Sequence, residues 1–209
     1  MVAIIDYGVG NLFSLKSSFA QIGAEVVVTD DVEVLKKADH IILPGVGAFE
    51  DAARKLHDCG LDKVLIEMAH SGKLIMGICL GMQLLFEKSY EYGEHEGLGL
   101  IKGSVRPIED VIPKDYKIPH IGWNALDFKG EKSPLFSGIS EGDHVYFVHS
   151  FYASDCDDAV IATSEYGADL TAAVAYKNVY GCQFHPEKSG NTGLAILKAF
   201  VEMKEGDLC

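Results

Sequence analysis

The chain has 209 residues, of which 48% are hydrophobic and 23% are charged. These proportions are ordinary for a folded protein, and the length, without an internal repeat or linker, predicts a single domain over residues 1–209. The 31 acidic residues outnumber the 18 basic ones, which gives a formal net charge of −13. Such a surface repels phosphate backbones and anionic lipids, so we expect neither nucleic acid nor membrane as a direct partner.

Several features of the sequence indicate a cytoplasmic protein. The longest charge-free apolar stretch, residues 74–86, is much shorter than the roughly 20 residues of a transmembrane helix. The N-terminal segment has no basic region and reaches Asp6 directly after the four apolar residues Val2–Ile5, unlike a signal peptide. An odd number of cysteines without a C-x-x-C spacing favours free thiols in a reducing compartment. These cysteines are Cys59, Cys79, Cys156, Cys182 and Cys209.

The first half of the sequence alternates short apolar runs with longer amphipathic ones. Repeated strand–helix alternation indicates a parallel sheet with right-handed crossovers and helices on both faces. The predicted strands are Val2–Ile5, Glu25–Thr29, His40–Leu43 and Leu74–Ile78. The predicted helices are a segment capped by Asn11 that ends near Ile22, then Val32–Lys37, Phe49–Cys59, Leu61–His70 and Leu80–Glu87.

Past Gly93 the segments become short, β-branched and aromatic, and turn-forming glycines separate them. The pattern predicts antiparallel strands followed by a last helix that begins near Asn191 or Thr192. These strands are Leu98–Val105, His120–Phe128, His144–Ala153, Val160–Ser164 and Leu170–Gln183. The predicted fold class is α/β, with a mixed, mostly parallel central sheet flanked by helices and a smaller antiparallel sheet from the second half.

The segment Gly77-Ile-Cys79-Leu-Gly81 lies between a predicted strand and a predicted helix. A nucleophile between two such glycines is typical of the nucleophile elbow, here with cysteine in place of serine. The tight turn leaves no room for a Cβ on either side and presents the thiol at the carboxyl edge of the sheet. The positive end of the next helix favours a thiolate, and the Leu80 N–H can face an oxyanion. A buried cysteine in a glycine-flanked turn would show the same pentapeptide.

A thiolate nucleophile needs a proton-transfer partner, and His185 is the best placed of the eight histidines. It ends a predicted strand, and Glu187 follows two residues later on the same face, where its carboxylate can hold the imidazole tautomer. Pro186 between them stiffens the segment. An ordinary turn after a strand would look the same, and only the fold can bring His185 to Cys79, 106 residues away.

The glycine-rich segment Pro44-Gly-Val-Gly-Ala-Phe49 follows the third predicted strand. This strand neighbours the elbow strand in the predicted sheet, so backbone N–H groups of Val46 and Gly47 can face the same oxyanion. A plain strand-to-helix turn would carry a similar sequence.

Two other patterns fail to match known site signatures. Gly8-Val-Gly10 follows a strand, but Phe13 stands where a dinucleotide-binding fingerprint needs its third glycine. His185-Pro-Glu187 resembles the H-x-E of zinc deaminases, yet no P-C-x-x-C follows it. No other cysteine or histidine spacing fits a metal site, so we predict neither a metal nor another cofactor.

Six motifs together resemble the class I, triad-type glutamine amidotransferases, and in particular the glutaminase subunits of imidazole glycerol phosphate synthases. They occur in the expected order from residue 6 to about residue 190, over nearly the whole chain. One departure is Phe151, where the family often has tyrosine. The motifs are Asp6-Tyr-Gly-Val-Gly-Asn-Leu-Phe-Ser, Pro44-Gly-Val-Gly-Ala-Phe, Gly77-Ile-Cys-Leu-Gly-Met-Gln-Leu-Leu, Pro119-His-Ile-Gly-Trp-Asn, His149-Ser-Phe and Phe184-His-Pro-Glu-Lys-Ser-Gly.

This resemblance implies hydrolysis of L-glutamine to glutamate and ammonia through a thioester on Cys79. His185 would transfer protons, and Glu187 would orient His185. The residues that the resemblance assigns to the oxyanion hole are Val46, Gly47 and Leu80. Those that it assigns to substrate binding are Gln83, His149, Ser150 and Phe151.

The resemblance also implies a heterodimer with a (β/α)8-barrel cyclase subunit, which uses the ammonia to make imidazole glycerol phosphate and AICAR in L-histidine biosynthesis. An acidic subunit is poorly suited to bind a doubly phosphorylated nucleotide, so the charge fits a division of labour in which the partner binds it. Trp123 fits either an interface anchor or a half-buried core aromatic. The residues that match interface positions are Pro119, His120, Trp123, Asn124 and Lys188.

Two further classes of function stay open from the sequence. A glutaminase that feeds another synthase, or a peptidase, would use the same Cys–His pair; ammonia release without peptide cleavage separates a glutaminase from a peptidase. A non-catalytic nucleotide-binding module built on Gly8–Gly10 would bind nucleotide and would lose no activity in Cys79→Ala.

Overall fold

Strands and helices alternate along residues 1–204, the part of the chain that this computed structural model describes. Cys209, one of the predicted free thiols, lies outside the described residues. The strands are β1 (Val2–Ile5), β2 (Val26–Thr29), β3 (His40–Gly45), β4 (Leu74–Cys79), β5 (Phe86–Ser89), β6 (His95–Glu96), β7 (Ile101–Pro107), β8 (His120–Ala125), β9 (Asp127–Phe128), β10 (His144–His149), β11 (Phe151–Ser154), β12 (Val160–Glu165), β13 (Asp169–Tyr176) and β14 (Val179–Cys182). The α-helices are α1 (Leu12–Gln21), α2 (Val32–Lys37), α3 (Phe49–Asp58), α4 (Leu61–His70), α5 (Leu80–Leu84) and α6 (Gly190–Glu202).

The central sheet has eight strands in the order β2-β1-β3-β4-β14-β13-β12-β9. The first five of these strands are parallel to one another, and the last three are added by antiparallel pairing. This arrangement confirms the predicted α/β class with a mixed, mostly parallel sheet. It also places β14, from the end of the chain, directly beside β4, so residues far apart in sequence meet at one edge.

Alternate residues of the parallel strands supply two separate hydrophobic layers, because successive side chains point to opposite faces of a sheet. Ile5 and Leu43 belong to the layer that includes Leu56 of α3 and Leu65 of α4. The opposite layer joins intervening residues such as Ile4 to side chains of α1 and α6. The continuous apolar runs in β1, β3 and β4 are therefore explained by burial on both faces.

The second half forms two smaller sheets instead of one. Strands β8 and β10 pair as a two-stranded antiparallel ribbon. Strands β11, β7, β5 and β6 form a four-stranded sheet in which β5 and β7 are parallel. The predicted strands His120–Phe128 and His144–Ala153 are each divided between two sheets, because each chain segment turns from one sheet into the next at its middle. Leu170–Gln183 is likewise two strands, β13 and β14, with Lys177 at φ +55° in the turn between them.

The predicted helix Leu80–Glu87 is wrong in its second half. The helix ends after Leu84, and residues 86–89 form β5, in which Phe86 pairs with Ile101 of β7. Periodicity cannot separate a helix from a strand in a short continuous apolar run, and here the distant strand β7 decides the outcome.

The longest helix in residues 1–204 is α6, with 13 residues, and no helix in that range is both long and apolar enough to cross a membrane.

Candidate active site

The turn from β4 into α5 places Cys79 in a strained backbone conformation, with φ +55° and ψ −114°. A Cβ on Gly77 would lie 2.5 Å from the Gly81 carbonyl oxygen, and a Cβ on Gly81 would overlap the Leu43 carbonyl oxygen of β3. Both obstacles are backbone atoms, which cannot rotate away as a flexible side chain could. The glycines predicted from the pentapeptide are therefore needed by the backbone geometry, and Cys79 lies at the carboxyl edge of the sheet.

His185 lies beside the Cys79 thiol because β14 runs parallel to β4, with Cys182 opposite Ile78. Its Nδ1 is 2.8 Å from Glu187 Oε1, and the two side chains are 3% and 1% exposed. Burial alone would lower the pKa of His185, but hydrogen bonds to Cys79 and Glu187 and their charges raise it to about 9. At neutral pH the His185 imidazole is therefore protonated.

The loop after β3 packs against the first turn of α5. Gly45 pairs with Cys79 in the sheet, and a Cβ on Gly45 would lie 2.5 Å from the Gly81 backbone nitrogen. Gly47 has φ +95°, a conformation that favours glycine. Val46, Gly47 and Leu80 line the same cavity as Cys79. The fold thus gathers the three predicted oxyanion residues around the thiol.

A cavity of about 350 Å³ opens over Cys79, a volume within the range of small-molecule sites. Most residues predicted from the sequence for catalysis, substrate binding and the interface contribute to its lining. These residues are Val46, Gly47, Cys79, Leu80, Gln83, Pro119, His149, Ser150, Phe151, His185 and Lys188. Glu187 lies behind His185, whereas His120, Trp123 and Asn124 lie on the neighbouring ribbon of β8 and β10.

Two buried glutamines connect the cavity wall to Cys79. Gln83 Nε2 donates to the Phe151 carbonyl at 3.2 Å and to Gln183 Oε1 at 2.9 Å. Gln183 Nε2 in turn lies 3.7 Å from Cys79 Sγ. No function was predicted for Gln183 from the sequence, where it only ends the predicted strand Leu170–Gln183. Its signal was the period of two that it shares with His185 along the strand.

Glu91 is a cavity residue that the sequence analysis missed. Its Oε2 accepts the Phe49 N–H at 2.7 Å, at the start of α3, where Ala48 offers no side-chain cap. Burial raises the pKa of Glu91, and the bond from Phe49 and the charge of His95 oppose that rise. No motif spacing marks Glu91. It follows β5, and the start of that strand was predicted as helix because of its apolar run.

Strand β10 ends in a chain of histidine hydrogen bonds. His149 Nδ1 donates to the Phe151 carbonyl at 2.8 Å, and His149 Nε2 lies 3.0 Å from His120 Nδ1. His120 Nε2 is 2.9 Å from Asn124 Oδ1. Burial lowers the pKa of His149 to about 4 and also lowers that of His120. A neutral His120 has one N–H, so it can donate to His149 or to Asn124 but not to both.

The predicted interface residues differ in exposure. Trp123 is 53% exposed and contacts Tyr146 edge to face at a centroid distance of 6.0 Å. Pro119 and Lys188 are exposed, and Asn124 is half-buried. His120 is only 1% exposed, with its ring stacked on Phe147 and Tyr166. A partner could therefore reach His120 only through its neighbours on the ribbon.

The glycines that resemble a nucleotide fingerprint have a packing explanation. Gly10 lies against Pro44, whose side chain would be 2.9 Å from a Cβ at that position, and the Tyr7 hydroxyl donates to the Pro44 carbonyl at 2.6 Å. Within residues 1–204, no three His, Cys, Asp or Glu side chains lie close enough together to hold a metal ion.

Comparison with known proteins places this site in a family context. Residues 3–203 match the family model described as glutamine amidotransferase class-I. A curated protein named imidazole glycerol phosphate synthase subunit HisH, from Caldanaerobacter subterraneus subsp. tengcongensis, is 48% identical over 97% of this chain and 98% of its own length. A protein of the same name from Lactococcus lactis subsp. lactis is 50% identical, over 96% of this chain and 98% of its own.

Solved structures share the fold at much lower sequence identity. A crystal structure titled as a glutamine amidotransferase superposes with a TM-score of 0.75 at 19% identity and covers 97% of this chain and 98% of its own. A structure of PurLQS from Thermotoga maritima superposes with a TM-score of 0.71 at 23% identity, covering 96% of each chain. These likenesses support the fold that carries the cavity.

Proposed function

The chain belongs to the class I glutamine amidotransferase family, and we propose that Cys79, His185 and Glu187 form the triad with which it hydrolyses L-glutamine to glutamate and ammonia. The observation that carries the assignment is the strained Cys79 backbone beside a buried His185–Glu187 pair. A strained nucleophile turn with an oriented base is the arrangement that nucleophilic catalysis of acyl transfer requires.

In the first half-reaction, the Cys79 sulfur attacks the side-chain amide carbon of glutamine. The carbonyl electrons move onto oxygen, and N–H groups at Leu80 and the Val46–Gly47 loop stabilise this oxyanion. His185, whose pKa of about 9 keeps it protonated at neutral pH, gives its proton to the departing nitrogen. The C–N bond then breaks, and ammonia and a thioester on Cys79 are formed.

In the second half-reaction, water hydrolyses the thioester. The neutral His185 takes a proton from the attacking water, and a second oxyanion forms, which the same N–H groups stabilise. The C–S bond then breaks to release glutamate. Cys79 leaves as a thiolate beside the reprotonated imidazole. Glu187, at 2.8 Å from Nδ1, holds the ring with Nε2 toward the sulfur throughout the cycle.

Substrate binding uses the polar groups that line the cavity. Gln83, Ser150 and the backbone of residues 149–151 lie on its walls, and Glu91 adds a carboxylate. Glutamine carries an α-ammonium group, for which the Glu91 carboxylate is a complementary partner. The hydroxyl-free ring of Phe151, half-buried at the wall, adds apolar contact.

We propose a cyclase subunit with a (β/α)8-barrel fold as the partner, which the relatives support because their names describe one subunit of imidazole glycerol phosphate synthase. The ribbon of β8 and β10 supplies an exposed face beside the cavity, with Ile121 and Trp123 both more than half exposed. Lys188 and Pro119 connect that face to the cavity. A cytoplasmic location is part of the same proposal, supported by unpaired thiols at Cys59, Cys79, Cys156 and Cys182.

Substitution of the nucleophile tests the assignment. We expect Cys79→Ser to lower glutamine turnover by roughly 10³-fold or more, because serine lacks the ready ionisation of a thiol beside imidazolium. His185→Ala should be similarly severe, and Glu187→Ala less severe because Glu187 orients the base without transferring protons. Turnover is measured as ammonia and glutamate released, with circular dichroism to verify folding.

A covalent label gives an independent measurement. A diazoketone analogue of glutamine should modify Cys79 alone, and mass mapping of peptides identifies the thiol. The exposed Cys59 serves as the internal control for unselective alkylation. Near-normal turnover in Cys79→Ser, or labelling at another cysteine, would contradict the nucleophile assignment.

A further inference from the structure

Gln183 is a buried polar residue beside the nucleophile to which the mechanism above gives no part. Its side chain is 0% exposed, and its Nε2 lies 3.7 Å from Cys79 Sγ, within hydrogen-bonding range of sulfur. Gln183 precedes His185 by two residues, and both side chains contact the same thiol. The sulfur therefore has two neighbouring N–H groups, one from an imidazole and one from an amide.

The direction of the Gln183 amide is fixed by a main-chain carbonyl. The Phe151 carbonyl can only accept, so Gln83 must turn its Nε2 toward it. The same Nε2 group donates to Gln183 Oε1, which leaves the Gln183 nitrogen facing the sulfur. Reversing Gln183 alone would set two NH₂ groups against each other. Reversing Gln83 as well would set its oxygen against the Phe151 carbonyl.

This arrangement also decides which end of Gln83 is offered to glutamine. Its two N–H groups are used by Phe151 and Gln183, so Oε1 is the atom that can accept a hydrogen bond from the substrate. Gln83 therefore connects the cavity wall to the amide that contacts the nucleophile.

We propose that Gln183 is a further catalytic residue, which donates a hydrogen bond to the Cys79 sulfur. The proposal rests on the function proposed above, in which Cys79 is the nucleophile. An N–H directed at the sulfur stabilises the thiolate before attack, when the proton is on His185. The same N–H stabilises the thiolate again when the thioester is hydrolysed and the sulfur leaves, because negative charge returns to it.

The expected effect is moderate because two consequences of the hydrogen bond oppose each other. A hydrogen bond to a charged acceptor stabilises that acceptor strongly and so increases the fraction of thiolate. A stabilised thiolate is also a weaker nucleophile, and this offsets about half of the gain in rate. Loss of the donor should therefore lower kcat by about 10-fold, well below the effect of losing Cys79 or His185. The KM for glutamine should change by less than about 2-fold, because Gln183 does not line the cavity.

Two variants of Gln183 separate the donor from the shape of the side chain. Gln183→Met removes both amide groups at similar length, whereas Gln183→Glu keeps an oxygen for Gln83 and replaces the amide donor by a carboxyl group that donates only while it is protonated. We expect Gln183→Met to slow alkylation of Cys79 by iodoacetamide at pH 7 by about 10-fold. In Gln183→Glu the buried carboxyl group can donate to the sulfur while it is protonated and repels the thiolate once it ionises, so alkylation relative to the parent chain should fall as the pH rises.

Asn178 provides a matched control on the other end of β14. It is a buried amide whose Nδ2 donates to the carbonyls of Ala69 and Lys73, away from the cavity. Asn178→Leu therefore reports the general effect of losing a buried amide on folding, and alkylation of Cys79 in that variant should match the parent chain. Alkylation is quantified by peptide mass mapping, with the exposed Cys59 as the internal reference.

The results distinguish failure of this proposal from failure of the proposed function. Unchanged Cys79 alkylation and kcat in Gln183→Met would overturn the donor role. The donor role would also be overturned if Asn178→Leu slowed Cys79 alkylation as much as Gln183→Met does. If Gln183→Met does not fold by circular dichroism, the shape-conserving Gln183→Glu decides, and a rate of alkylation that keeps the same ratio to the parent chain at every pH would overturn the proposal. Diazoketone labelling at a residue other than Cys79 would instead refute the function on which the proposal rests.

Discussion

The carboxyl edge of the parallel strands and the ribbon of β8 and β10 contribute to the same cavity in different ways. At the sheet edge, Cys79 and its flanking glycines are held by contacts within and between adjacent parallel strands. On the ribbon, His149 is held opposite His120, 29 residues earlier, and their positions depend on antiparallel pairing and aromatic packing. The first region depends on backbone clearance, and the second on side-chain packing across the ribbon.

This difference explains how each region tolerates change. Where two backbone segments are in close contact, an added methyl group cannot be accommodated, because backbone atoms cannot adopt another rotamer. Where side chains pack against one another at a half-exposed ribbon, loss or addition of atoms is absorbed by neighbouring rotamers and solvent. The sheet edge should therefore be sensitive to the smallest substitutions, whereas the ribbon should be sensitive to protonation and to loss of its large exposed side chains.

The largest effect that we predict comes from Gly81→Ala. Its Cβ would overlap the Leu43 carbonyl oxygen, so β3 and the elbow must separate, and the free energy of unfolding should fall by about 3 kcal/mol or more. Turnover of glutamine should be lost with it, because Cys79 and the Leu80 N–H move out of alignment. Denaturant unfolding and ammonia release measure the two effects.

Gly122→Ala, in the ribbon, is the matched control. A Cβ at Gly122 would meet only Asn124 Oδ1, at an ordinary contact distance of 3.5 Å. We expect its free energy of unfolding to stay within about 0.5 kcal/mol of the parent chain. Equal destabilisation by the two alanines would refute the contrast between backbone clearance and side-chain packing.

The same contrast explains what could be predicted from the sequence. Cys79, His185 and Glu187 could be named as candidates before the fold was known, because glycine spacing and period-two alternation are local signals. Strand β5 was missed because residues 86–89 are extended by pairing with β6 and β7, which follow later in the chain. Glu91 follows that strand and was missed with it. Gln183 lies beside Cys79 only because β14 is next to β4 in the sheet, and no local sequence pattern indicates that contact.

A second prediction concerns the acid stability of the ribbon. Burial lowers the pKa of His149 from an ordinary value of 6.5 to about 4, so the native state resists protonation there. The unfolded chain takes up that proton as the pH falls below 6.5, and the native chain does so only near pH 4. The stabilisation is therefore fully present above pH 6.5, and about 3 kcal/mol of it should be lost as the pH falls to 4.

Comparison of variants isolates the contribution of this histidine. His149→Asn retains an amide N–H that can reach the Phe151 carbonyl but does not titrate, so its unfolding free energy should fall less steeply between pH 6.5 and 4. His144→Asn, at an exposed position on β10, should keep the slope of the parent chain. Parallel slopes in His149→Asn and the parent chain would show that the acid sensitivity arises elsewhere.

The third prediction has the smallest effect on the fold and tests the surface of the ribbon. Trp123 is more than half exposed, so Trp123→Ala should change the free energy of unfolding of the isolated chain by no more than about 0.5 kcal/mol. If the cyclase subunit covers this face, the same substitution should weaken its binding by about 30-fold, because a desolvated tryptophan is typical of an interface hot spot. Titration calorimetry with the cyclase subunit and thermal unfolding of the isolated chain measure the two quantities.

Tyr176→Ala controls for the loss of an exposed aromatic residue away from the cavity. Tyr176 is 46% exposed and lies opposite Val179, the first residue of β14. This end of the parallel strands is far from Cys79. Its loss should leave cyclase binding unchanged. If Trp123→Ala instead destabilised the isolated chain and left binding intact, Trp123 would belong to the packing of the ribbon. The interface would then lie on another face, and Pro119 and Lys188 would be the remaining predicted contacts that line the cavity.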